Sequence, residues 1–61
     1  MKPKCELIGK DGNVFNIISL VKKALIKAGQ KNKADEFIKS AFKAGSYGEV
    51  LNLAGEYVEI H

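Results

Sequence analysis

The sequence predicts a small α+β domain in the order β-α-α-α-β. A helical hairpin and a short third helix pack on a two-stranded sheet made by the terminal segments. Three observations predict it. Apolar residues from Val14 to Ala28 recur at i, i+3, i+4 and i+7, the spacing of one helix face. Gly29 and Gly45 stand where two helical patterns stop. Segments 4–8 and 56–60 alternate loosely between polar and apolar residues, as half-buried strands do. At 61 residues the chain makes one domain, 1–61. A domain of that size buries only about 60% of its unfolded surface. Small domains make up the deficit with disulfides, a metal or a partner subunit. One cysteine and one histidine, Cys5 and His61, allow no internal disulfide and no zinc site built from those two alone. Oligomerisation remains, and a homodimer is expected.

The first strand is expected over Lys4–Ile8 and ends at Gly9. Turn formers fill Gly9-Lys10-Asp11-Gly12-Asn13, where Asp11 or Asn13 can cap the following helix. Val14, Ile17, Ile18, Val21, Ala24, Leu25 and Ala28 make that helix's apolar face, and Gly29 fits a left-handed position just past its end. A second helix is expected after Asn32 as N-cap, with Asp35 and Glu36 in its first turn to meet the helix dipole. Ala34, Phe37, Ile38, Ala41 and Phe42 form its apolar face, and Gly45 ends it. Ser46-Tyr47-Gly48-Glu49 is a capping box that opens a third helix through Val50, Leu51 and Ala54. Tyr57 and Val58 continue the helical period, yet Gly55 interrupts it and 56–60 also alternates as a strand. The strand is preferred from about residue 57, because Tyr and Val favour it and the first strand needs a partner. Residues 55–58 stay open between the two.

Composition excludes more than it assigns. All ten basic residues are lysine, so the bidentate arginine contacts that read guanine have no residue to make them. Residues 1–45 carry the ten lysines against Glu6, Asp11, Asp35 and Glu36, a balance of +6. Residues 46–61 carry Glu49, Glu56 and Glu59, a balance of −3. Such polarity suits an oppositely patterned partner or another copy. The lysines also permit nonspecific, salt-sensitive phosphate binding, although solvated helix faces explain them more simply. Lys22, Lys23 and Lys27 break the longest apolar pattern, so no membrane span is expected. With no signal-peptide core and a lone thiol, a cytoplasmic protein is expected.

No enzymatic constellation is present. Histidine occurs only at His61, expected to fray, and Cys5 reads as a small core residue within a strand. The residue where a calcium loop opening at Asp11 would need its bidentate acid is Lys22. No catalytic residue, cofactor or metal is expected. The apolar surplus is more informative. On a helical wheel Phe15 and Ile26 lie about 100–120° from Val14, outside the main face, and Leu20 lies on the other flank. Either the rest of the chain covers them, or Phe15 and Ile26, with the stem of Lys22 between them, meet another protein. Tyr47 and Tyr57 are each either a core residue with a polar tip or an interface anchor, and Glu56 and Glu59 flank Tyr57. The expected interface residues are therefore Phe15, Leu20, Lys22, Ile26, Tyr57 and Glu59. Both strands also offer free edges for pairing with a second copy.

Asp11-Gly12-Asn13-Val14-Phe15-Asn16-Ile17-Ile18, Lys27-Ala28-Gly29, Tyr47 with Val50-Leu51, and Tyr57-Val58-Glu59-Ile60 together resemble a family of short proteins of tailed phages and prophages. Those proteins carry a DGNAF start, a KAG helix end, a GDY..LL segment and a closing YV.V strand. The likeness covers residues 5–60 and departs at Val14, where alanine is usual, and at Ser46, where an acid is usual. The resemblance carries no catalytic residue to this chain. It implies a setting in which small accessory proteins bind, and in some cases inhibit, a host protein, including defence proteins.

Overall fold

Asn13 opens the first helix as its spacing predicts. The Phe15 amide donates to Asn13 Oδ1 at 2.8 Å, and helix α1 runs over Val14–Lys27. The computed structural model describes residues 2–9 and 12–61. The turn reading at Lys10 and the alternative cap at Asp11 lie outside the described residues. Two strands, β1 (Lys4–Cys5) and β2 (Glu59–Ile60), enclose α1 and two further helices, α2 (Lys31–Lys43) and α3 (Tyr47–Tyr57). The order of elements is the expected one. The proportions differ: the architecture is mostly helical, and the sheet is minor, two residues per strand.

β1 and β2 run parallel, with Lys4 opposite Glu59 and Cys5 opposite Ile60. Parallel strands need a long crossover, and here all three helices supply it. The pairing extends beyond the ladder. The Glu59 amide donates to the Pro3 carbonyl at 2.8 Å and the His61 amide to the Cys5 carbonyl at 3.0 Å. The Leu7 and Ile8 amides both donate to the His61 carbonyl, at 2.8 and 3.0 Å. His61 is thus tied into the fold through its backbone rather than frayed.

Three helix boundaries differ from the sequence reading, each for a local reason, and β1 ends at Cys5 rather than Ile8, beyond which the Leu7 and Ile8 amides share one carbonyl instead of continuing the ladder. α1 closes with two bonds, from Gly29 N–H to the Ile26 carbonyl (3.0 Å) and from Gln30 N–H to the Leu25 carbonyl (2.8 Å), with Gly29 at φ +77°. This is a Schellman closure. Gln30 also accepts the first bond of α2, from the Ala34 amide at 3.0 Å. One residue thus ends one helix and begins the next, so α2 starts at Lys31 and Asn32 lies inside it rather than capping it. Asp35 and Glu36 fall beyond the first turn, and Asp35 instead faces Lys31 at 3.9 Å.

α2 ends before Gly45. Ala44 turns extended (φ −68°, ψ 143°), and Gly45 keeps an ordinary φ. α3 passes straight through Gly55 to Tyr57, so the strand begins two residues later than expected. Val50, Ala54 and Tyr57 share one side of a helix. Burying that side outweighs the roughly 1 kcal/mol that a helical glycine costs. A Cβ on Gly55 would stand 3.8 Å from Ile60 Cδ1, so the returning strand lies over this residue.

The core draws on β1, all three helices and the segments flanking the strands. Cys5 and Leu7 come from the first segment, Ile17, Val21 and Leu25 from α1, Phe37 and Ala41 from α2, Val50 and Ala54 from α3, and Val58 from the turn into β2. Phe37 is the largest side chain that is wholly buried, and Tyr57 meets its ring edge-on at 5.5 Å between centroids. Cys5 is a buried core residue, and burial pushes its thiol pKa up. Phe37→Ala would leave a cavity at this junction and destabilise the fold by about 3–5 kcal/mol. In a domain this small, urea denaturation followed by circular dichroism should then show little or no folded baseline.

Candidate functional site

Ser46 caps α3 by accepting from the Glu49 amide at 3.2 Å. Glu49 reaches back one residue further than in a capping box and accepts from the Gly45 amide at 2.6 Å. This double tie fixes the first residue of α3, Tyr47, at the surface, 43% exposed. On one side of Tyr47 lies a shallow hollow between α1, α2 and the start of α3, lined by Val14, Phe15, Ile18, Ala41, Phe42 and Val50 among others. On the other side lies a second hollow, lined by Leu7, Ile8, Leu51 and Ile60. Tyr47 lines both and joins them into one face. No charged side chain of the described residues lines either hollow.

The exposed apolar side chains gather on this face. Phe15 is 65% exposed, Phe42 63% and Ile8 74%, and Tyr47 and Ile60 are partly open. Phe15 and Phe42 stand with ring centroids 6.3 Å apart and planes tilted by 45°, forming a ridge where α1 meets α2. Gly12 lies beside this ridge, where a Cβ would come 3.6 Å from the Tyr47 hydroxyl oxygen. The Gly12–Phe15 segment and the Ser46–Tyr47 segment, separated by thirty residues of chain, therefore meet.

The six residues expected at an interface are not brought together. Phe15 lies on this face. Ile26 is 43% exposed but sits about 16 Å further along α1, from a rise of 1.5 Å per residue. Lys22 is exposed between them. Leu20 is half-buried and packs against the core. Tyr57 is also half-buried against the core, and its hydroxyl donates to Glu36 Oε1 at 2.7 Å. Glu59 is exposed in β2. Sequence reasoning missed Phe42, Ile8 and Ile60, and offered Tyr47 as a core residue or an interface anchor without joining it to them in one face. Phe42 carried a readable signal: it lies about 140° around the α2 wheel from Phe37, so one buried face cannot hold both.

Among the described residues, no three His, Cys, Asp or Glu side chains lie close enough to hold a metal ion, and no helix is long and apolar enough to cross a membrane. Comparison of the chain with protein-family models, curated proteins and solved structures found no match.

The Tyr57–Glu36 bond is the one strong electrostatic perturbation on the surface. Accepting the hydroxyl proton, Glu36 favours the neutral phenol. Burial and the charges of Glu36 and Glu56 add to this and push the Tyr57 pKa up to about 12, from an ordinary 10.0. A pKa raised on folding contributes stability that is fully present below pH 10, the unfolded value, and is lost as pH climbs through 12. The bond is exposed, so its contribution is only about 0.5–1 kcal/mol. In a Tyr47→Phe background, phenolate absorbance should titrate near pH 12, and adding Glu36→Gln should move the midpoint back toward 10.

Proposed function

We propose that the chain is a non-enzymatic protein-binding module that works through the apolar face around Tyr47. One observation carries this reading: the largest exposed apolar side chains converge on two joined hollows that no charged side chain of the described residues lines, and apolar patches of that kind mark protein-contact surfaces. Aromatic anchors beside pockets lined by small residues are what contact hot spots are built from. The resemblance to short phage and prophage proteins supplies a setting: a host protein as target, possible inhibition of a defence function, and action in the host cytoplasm. The α+β reading belongs with the same proposal, since β2 carries Ile60 and the His61 carbonyl just past it holds the Ile8 amide beside the same face.

Tyr47→Asp tests the reading with little risk to the fold. An acid in the first turn of α3 suits the helix dipole, so the helix persists while a charge enters the centre of the face. A tagged wild-type chain should retain a protein partner, from the natural host or of its own kind, that Tyr47→Asp loses by about 30-fold or more in affinity. Equal retention by both chains, with circular dichroism unchanged, would refute the reading.

A second reading, nonspecific nucleic-acid binding, rests on the exposed lysines of α1 and α2, among them Lys22, Lys23, Lys27, Lys39 and Lys43. On the wheel Lys23 with Lys27 and Lys39 with Lys43 each share a stripe, four residues apart, while Lys22 stands about 140° from Lys27 and outside the first of them. A gel shift that weakens steeply with salt would support it, and no shift at about 50 mM salt would dismiss it.

A further inference from the structure

We propose that the face around Tyr47 is covered by a second copy of this chain across a two-fold axis. The proposal rests on the reading above, that this face is a protein-contact surface, and names its occupant.

Charge is the first argument. A two-fold contact sets one patch against itself: a residue on the axis meets its own copy, one off the axis meets another residue of the same patch, and a patch of one sign repels itself. The chain carries ten lysines and a net +3, and most of its surface would repel its copy if turned upon it. None of the described lysines lines either hollow. On this surface two copies can meet without setting any of the described lysines against one another. The basic body against the acidic segment 46–61 closes a pair only where each copy turns both patches into the same contact, and otherwise runs head-to-tail.

Area is the second argument. Aromatic side chains offer about 150–250 Å² each, so the open fractions of Phe15, Phe42 and Tyr47 leave about 350 Å², and Ile8 and Ile60 raise this to about 500 Å². That is roughly one-eighth of the 4110 Å² surface. Covered on both copies, these five residues alone bury about 1,000 Å², the level a specific interface must clear, before any rim is counted. Shape agrees. The Phe15–Phe42 ridge stands at the edge of a hollow floored by small residues such as Ala41 and Ala44. Ridge beside hollow is the pairing a self-complementary patch requires. With the apolar face covered, the pair would present the lysines of α1 and α2 and the acids of α3 outward, in duplicate, to any host protein.

Sedimentation equilibrium over about 1–100 μM tests the proposal. The wild-type chain should run at twice its 6.7 kDa, and the association should hold or strengthen at high salt. Phe42→Asp and Ile8→Asp, both at exposed positions, should each weaken it by about 30-fold or more, with unchanged circular dichroism. Ile26→Asp, exposed but off the face, should leave it intact. A wild-type monomer throughout, a dimer broken by Ile26→Asp and not by Phe42→Asp, or a dimer dissolved by salt would each overturn it. A wild-type monomer whose host partner is lost on Tyr47→Asp would overturn self-association alone and leave the binding module standing. Loss of neither would overturn both.

Discussion

Parallel pairing of β1 with β2 constrains everything between them. Two strands that run the same way, side by side, oblige the chain to leave the end of one and re-enter at the start of the other. Three helices make that return here. The odd count is what allows it: α1 and α2 double back on each other through the closure at Gly29–Gln30, and α3 carries the chain back to Pro3 and Cys5. Val58 is the pivot. Its amide still donates to Ala54 at 2.9 Å while its backbone is already extended, and its side chain is buried. Helix, turn and strand therefore meet at one residue, and the core beneath it cannot form unless the ladder does.

The same constraint explains why the first helix was legible in the sequence throughout and the end of the last was not. α1 is specified locally: Asn13 caps it, seven apolar positions repeat with the right period, and Gly29 closes it. The end of α3 is specified by what lies across from it. Gly55 and the alternation at 56–60 are valid strand signals read alone. They lose because Tyr57 reaches the edge of Phe37 and the carboxylate of Glu36 from a helical position, and because Ile60 lies over Gly55. The start of α2 is hidden for a related reason. A good cap at Asn32 is overridden when the tight closure of α1 has already assigned Gln30 to both helices. Local chemistry names the elements, and tertiary contacts set their ends.

The contact face was only partly legible, for a reason of geometry. Phe15 betrays itself on the wheel because α1 alone shows it to be off the apolar stripe. Ile8, Tyr47 and Ile60 belong to three different segments, and no periodicity within any of them marks their convergence. Phe42 sits among core positions of α2 and looks like one of them until its angle to Phe37 is measured. The flank of Phe15 and Ile26 divides in the same way. One end joins the face and the other does not, since a helix flank of about 16 Å is longer than the hollow beside it.

Charge and size act together at this face. A chain of 61 residues has too few elements to enclose three helices on all sides, so some apolar surface must stay open. Where it stays open is set by capping. Ser46 and Glu49 hold the N-terminus of α3, and hence Tyr47, between the two hollows, and none of the described lysines lines either one. A residue whose only task was to start a helix would not need an aromatic ring, and a surface whose only task was solubility would not leave five large apolar side chains together. The cap chemistry that begins α3 is thus also what composes the contact face, and the marginal core of a small domain and its capacity to bind follow from one arrangement of side chains.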